Sequence, residues 1–112
     1  MGNLKIIIYN CLMVHTVKAN FRFKDQEKKE EFLAILKSSD GLGCTRQFDG
    51  CLSIECLCSN EDPNLIVIWQ RWESQANHEA YFQYRKDHGL IDKLGEMLAE
   101  PLGVERYTSL SV

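Results

Sequence analysis

No apolar run in these 112 residues reaches membrane-spanning length, so a transmembrane protein is not expected. There is no basic excess either. The net charge is −3 with acids and bases interspersed, which argues against a nucleic-acid partner, whose binder would carry a basic patch or stripe. Paired Cys-x-x-Cys motifs are missing. The five cysteines, Cys11, Cys44, Cys51, Cys56 and Cys58, are odd in number and irregular in spacing. That pattern reads as reduced thiols in a cytoplasmic protein rather than as a disulfide framework. Cys56 and Cys58 sit one residue apart in a strand-like run and lack a second ligand pair, so no metal site is expected. The chain also has no phosphate-binding glycine loop, no Ser-His-Asp pattern that stands out, no obvious carboxylate pair for acid–base work, and no repeat, linker or low-complexity segment.

The N-terminus needs separate treatment. Met1 to Lys5 followed by Ile6 to Val14 has the order of an export leader, but Asn10 breaks the apolar part and no small-residue cleavage site follows. Gly2 fails the myristoylation pattern because Ile6 stands where Ser or Thr is wanted. The first well-patterned strand begins at Met13, which divides the chain into an N-terminal extension, 1–12, and one domain, 13–112. That length gives a single, modest core.

What is present is clear periodicity. Met13, His15, Val17, Ala19, Phe21 and Phe23 alternate with Thr16, Lys18, Asn20, Arg22 and Lys24, a period of two that predicts a strand. Asp25 is placed to cap a helix carrying Phe32, Leu33, Ile35 and Leu36 on one stripe, with Gly41 and Gly43 marking its exit. The mixed-sign run from Lys24 to Glu31 is the solvated face of that helix. Cys51–Cys58 predicts a second strand, and 59–64 predicts a turn. Leu65–Glu73 predicts a third strand, and Ser74 caps a helix running to about Asp87. Gly89 interrupts. Leu90, Ile91, Leu94, Met97 and Leu98 continue at helical spacing until Pro101 stops them, and Leu102–Leu110 predicts a last strand. The order β-α-β-β-α-β is the split βαβ of a ferredoxin-like α+β sandwich.

The third strand carries a further consequence. Leu65, Val67 and Trp69 fall on one face and Ile66 and Ile68 on the other, so both faces ask for cover. Two helices on one side of the sheet supply only half of it. A second copy packed sheet against sheet supplies the rest, so a homodimer is expected, with Trp69 at its interface.

Several segments in this order resemble the antibiotic biosynthesis monooxygenase (ABM) domain family: 48–55 (FDGCLSIE), 62–64 (DPN), 70–75 (QRWESQ), 81–85 (YFQYR) and 94–101. The resemblance spans about Met13 to Tyr107. It implies a dimeric α+β barrel of two ferredoxin-like halves, with a pocket between sheet and helices in each subunit. It also implies oxidation of quinols or anthrones by molecular oxygen, in many members without metal, haem or flavin. The expected function is therefore a cofactor-independent monooxygenase whose partners are itself, a small aromatic substrate and oxygen. The alternatives are a non-catalytic or stress-associated binding protein of the same fold, or an isomerase of a small enolisable substrate. Haem-degrading relatives keep Asn where Ala19 falls, Trp where Tyr81 falls, and an iron-ligating His where Ile91 falls. Those departures count against haem degradation.

The candidate site residues follow from these placements. Tyr81, Arg85 and His88 lie at i, i+4 and i+7, on one stripe if the helix persists. As catalytic candidates, Tyr81 holds or deprotonates a phenolic hydroxyl, Arg85 stabilises a developing phenolate and His88 takes a proton. The bland readings are a core tyrosine, a surface or interface ion pair and a histidine favoured at a helix C-terminus. Trp72, His78 and His15 are the substrate-binding candidates. Trp72 either walls an aromatic substrate or packs the strand–helix corner. His15 and His78 are either ligand contacts or satisfied core histidines. His15 and Asn20 lie on opposite faces of their strand and cannot serve one pocket together.

Overall fold

The computed structural model describes residues 14–110 and 112. The expected extension at 1–12, the strand start at Met13 and the Cys11 thiol lie outside them. The elements are β1 (His15–Arg22), α1 (Gln26–Lys37), α2 (Leu42–Arg46), β2 (Cys51–Cys58), β3 (Leu65–Trp72), α3 (Gln75–Asp87), α4 (Leu90–Met97) and β4 (Gly103–Thr108). The four strands form one antiparallel sheet in the order β2-β3-β1-β4. This is the ferredoxin-like α+β arrangement that the alternation of elements predicts.

Local chemistry sets the helix starts. The Asp25 carboxylate accepts from the Lys28 N–H at 2.8 Å, and the Ser74 hydroxyl accepts from the Asn77 N–H at 3.1 Å. Each satisfies one of the donors that a first turn leaves without an intrahelical partner. Gly89, between α3 and α4, has φ +87°, a left-handed conformation that glycine adopts without a Cβ penalty.

The core lies on one face of the sheet. Val17, Ala19 and Phe21 of β1, Ile54 of β2 and Ile66, Ile68 and Trp72 of β3 are buried, together with Phe32 of α1 and Leu94 and Met97 of α4. Phe32, 1% exposed, stacks on Phe21 with ring centres 4.9 Å apart and tilts against Phe23 at 5.2 Å. The strand period of two puts the alternate residues on the other face. There Leu57, Trp69 and Tyr107 remain substantially exposed, and Trp69 stacks on Tyr107 with centres 6.2 Å apart. Trp69 and Trp72 thus point to opposite faces, as their spacing predicts.

One element departs from the sequence reading. The segment after α1 is not simply an exit loop: residues 42–46 form the short helix α2. Gly41 precedes it in close contact with α1, where a Cβ would stand 2.1 Å from the Leu36 carbonyl oxygen. Among the described residues no helix is long and apolar enough to cross a membrane, and no group of three His, Cys, Asp or Glu side chains is placed to hold a metal ion.

Candidate active site

A cavity lies between the sheet and the helices. It encloses about 60 Å3 and is lined mainly by apolar side chains, among them Phe21, Phe32, Phe82, Ile91 and Leu94. Polar residues interrupt that lining at the α3 end: Gln70, His78, Tyr81 and Arg85, with Asp40 at its edge.

Arg85 organises this end. It is 6% exposed. Its Nε donates to the Tyr81 hydroxyl at 2.9 Å, one terminal nitrogen donates to the Asp40 carbonyl at 2.9 Å, and the other donates to the Gly41 carbonyl and the Thr45 hydroxyl, both at 3.0 Å. The Asp40 carboxylate adds a longer ion pair at 3.8 Å. A guanidinium has five N–H donors in a rigid fork, and four of them are engaged here. Arg85 therefore fastens the α1–α2 connection to α3, and one N–H is left over. Its charge still sits beside the cavity.

The Tyr81 and Thr45 hydroxyls are 2.9 Å apart, and either can be the donor. If Tyr81 donates, Thr45 can pass its own proton toward the Gly41 carbonyl, 3.4 Å away. If Thr45 donates, the Tyr81 O–H is released toward the cavity. In either arrangement the Arg85 guanidinium donates to both hydroxyl oxygens. Behind the pair, Tyr81 packs on Trp72 with centres 5.1 Å apart and edge-on to Phe48 at 5.3 Å.

His78 and His15 pack together with ring centres 6.0 Å apart. They are 3% and 8% exposed, and His78 Nδ1 and His15 Nε2 have no hydrogen-bond partner among the described residues. Burial pulls the His78 pKa from 6.5 down to about 4, helped by His15 and Arg106 and opposed by Glu79. Burial also lowers His15, with Arg106 adding and Glu79 opposing. Both rings are neutral at pH 7 and can serve as hydrogen-bonding groups but not as cations. His78 meets the cavity, whereas His15 supports it from β1.

Trp72 is placed differently from a substrate wall. It is fully buried behind the cavity lining, and its indole N–H donates to Gln70 Oε1 at 3.0 Å. His88 is also separated from Tyr81 and Arg85. The helix ends at Asp87, His88 is its exposed cap, the ring stacks on Tyr84 at 4.0 Å, and Nδ1 bonds to the Tyr84 carbonyl at 2.8 Å. The His88 N–H keeps the i→i−4 bond to the Tyr84 carbonyl at 3.1 Å, so its backbone stays on the helical path and it is the ring, folded onto Tyr84, that turns away from the cavity. Of the six candidates, the structure brings Tyr81, Arg85 and His78 to the cavity, sets Trp72 and His15 behind it and leaves His88 outside.

Two participants escaped the sequence reading, Gln70 and Thr45. Gln70 had a signal: it is the polar residue on the otherwise apolar buried parity of β3. Thr45 had none, because its role depends on contacts 36 and 40 residues away.

Comparison with known proteins gives the same frame. The profile of the family described as antibiotic biosynthesis monooxygenase matches residues 14–86. Among solved structures, a conserved protein of Methanosarcina mazei Go1 superposes with a TM-score of 0.79 at 18% identity, over 91% of this chain and 98% of that one. A protein of Mycobacterium tuberculosis gives 0.70 at 22% identity, over 88% and 97%. A monooxygenase of Streptomyces coelicolor, solved in complex with nanaomycin D, gives 0.72 at 16% identity, over 89% and 90%. At these identities the likeness is one of fold. No curated protein matches the chain significantly in sequence.

Proposed function

The chain belongs to the antibiotic biosynthesis monooxygenase family, and on that premise we propose that it oxidises an electron-rich hydroxylated aromatic of the quinol or anthrone class with molecular oxygen, using no cofactor. The observation that carries this reading is the convergence of Tyr81, Arg85, His78 and Gln70 on one end of an otherwise apolar cavity. Few, convergent polar groups in an apolar pocket fit a ligand that is mostly ring with an oxygen at one edge.

The chemistry needs little from the protein. A phenol or anthrone that loses a proton becomes an electron-rich anion able to give one electron to oxygen. The resulting substrate radical and superoxide combine to a peroxide. In an anthrone, loss of water from that peroxide leaves a carbonyl where a CH2 stood: one oxygen atom is retained and the other departs as water. This chain's residues orient the anion, shield it from solvent and keep a positive charge near it. Arg85 supplies the charge and holds Tyr81. The Tyr81–Thr45 pair handles the proton. A space of about 60 Å3 is far below the several hundred Å3 that encloses such a ligand, so the cavity widens on binding.

The reading includes a homodimer formed through the open sheet face. Leu57, Trp69 and Tyr107 there are 41%, 38% and 46% exposed, an apolar strip that a second sheet would bury.

The test is oxygen uptake by metal-stripped protein with a panel of naphthoquinols and anthrones, after subtraction of spontaneous oxidation. Saturable uptake that falls at least about a hundredfold in Tyr81→Phe is expected, the lower end of what a proton-handling group ordinarily contributes. Uptake no faster than background across the panel would overturn the assignment. Turnover that persists without oxygen would mark an isomerase instead.

A further inference from the structure

We propose that Gln70 is a substrate-binding donor of this site, and that Trp72 acts through it by holding the amide with its NH2 group toward the cavity, where it receives an anionic or carbonyl oxygen of the ligand. This assignment rests on the aromatic-substrate reading above and names a recognition element that the reading does not require.

The buried face of β3 presents Ile66, Ile68, Gln70 and Trp72, and Gln70 is 6% exposed. A primary amide removed from water among apolar side chains is unfavourable unless its oxygen and its N–H groups find partners. Its oxygen has one: Oε1 accepts the Trp72 indole N–H at 3.0 Å. The direction of that bond is decided by chemistry. An indole nitrogen is a donor and never an acceptor, and Trp72 is fully buried with that N–H needing a partner. Turning the amide over would set NH2 against N–H and orphan both. The amide therefore has one orientation.

With the oxygen committed to Trp72, the NH2 group is what Gln70 offers to the cavity it lines beside His78, Tyr81 and Arg85. Among the described residues no acceptor takes its two protons. A fixed, neutral, two-proton donor at the cavity wall matches a phenolate or carbonyl oxygen, and it discriminates against a cation or a donor-only group. Unlike His15 Nε2 and His78 Nδ1, the Gln70 Nε2 is not sealed off without a partner, so it is open to an oxygen in the cavity. Tyr81, Arg85 and Gln70 then approach the ligand oxygen from α3 and from the sheet, two separate elements.

The experiment uses 2-hydroxyanthraquinone, whose ionised and neutral forms differ in visible absorption, with the full chain and three variants: Gln70→Leu, Gln70→Glu and Trp72→Phe. The ionisation of the bound probe is titrated across the alkaline range. In the unaltered protein the bound phenol should ionise at a pH lower by about one unit than in Gln70→Leu, a roughly tenfold preference for the anion. Gln70→Glu keeps the size and still accepts from Trp72, but presents a carboxylate oxygen to the ligand. It should push ionisation above that of Gln70→Leu. Trp72→Phe should lose part of the preference although Gln70 is intact. Should Trp72→Phe not fold, the two Gln70 variants decide the matter, with circular dichroism as the check on their folding. Equal ionisation of the probe in unaltered protein and Gln70→Leu overturns the donor role while leaving the aromatic pocket standing. Absence of saturable binding to the unaltered protein overturns the aromatic reading, and the donor role with it.

Discussion

Acid should unfold this protein through His78, and its surroundings set the size of the effect. The ring is 3% exposed, its Nδ1 is unpartnered among the described residues, and its pKa falls from 6.5 to about 4 through burial, His15 and Arg106, against the pull of Glu79. An unfolded chain takes up this proton near pH 6.5, and the folded one only near pH 4. Between those values the unfolded state binds more protons. The stability associated with neutral His78 is thus complete above the upper value and lost as pH falls toward the lower one. For a shift of this size the loss at about pH 5 is about 2 kcal/mol, and it approaches about 3 kcal/mol once both states are protonated. His15, lowered first by burial and then by Arg106, acts in the same direction. The assay is urea unfolding, followed by tryptophan fluorescence, across this pH range for the unaltered protein and His78→Gln. Carboxylates titrate in both, so the difference between the two curves isolates the imidazole. That difference should shift by about 2 kcal/mol between about pH 7.5 and about pH 5, at the expense of the unaltered protein. Parallel stability curves would refute the buried neutral state of His78.

Three further outcomes are expected. Arg85→Lys keeps the charge but cannot span the Asp40 and Gly41 carbonyls and two hydroxyls at once, so thermal denaturation should show a loss of about 2–3 kcal/mol, and an unchanged Tm would contradict the fastening role. Gly41→Ala places a Cβ against the Leu36 carbonyl and should cost about 1–3 kcal/mol, with faster hydrogen exchange over 38–46. Trp69→Glu puts a charge into the apolar strip of the open sheet face; sedimentation should show the unaltered protein as a dimer and the variant as a monomer, and a monomeric unaltered protein would refute the sheet-to-sheet dimer.

The parts of the fold read correctly from sequence are those governed by neighbours in the chain. Alternation along β1 placed Val17, Ala19 and Phe21 on the buried face, and parity along β3 sent Trp69 and Trp72 to opposite sides. Asp25 and Ser74 cap their helices through bonds spanning three residues. What was missed depends on distance in sequence. The five residues of α2 follow a glycine cap with no side-chain hydrogen bond, and the connection is held by Arg85 from 44 and 45 residues away. No local pattern encodes that. His88 follows the helical spacing in its backbone, but its ring folds back onto Tyr84, a side-chain choice that spacing does not encode. Gln70 lies between these cases. Its burial was implied by strand parity, but the bond to Trp72 that gives the amide a direction depends on side-chain geometry.

The fastening of Asp40 and Gly41 by Arg85 also bears on how a ligand enters. The connection between α1 and α2 and the body of α3 are tied by several buried hydrogen bonds, so this wall of the cavity behaves as one stiff piece. The opposite wall is α4, which contributes Leu90, Ile91 and Leu94. It starts at Gly89 without a side-chain cap and is only eight residues long. The cavity is thus directional on one side and featureless on the other: a ring entering it meets its polar contacts on the α3 wall, while α4 offers only apolar side chains.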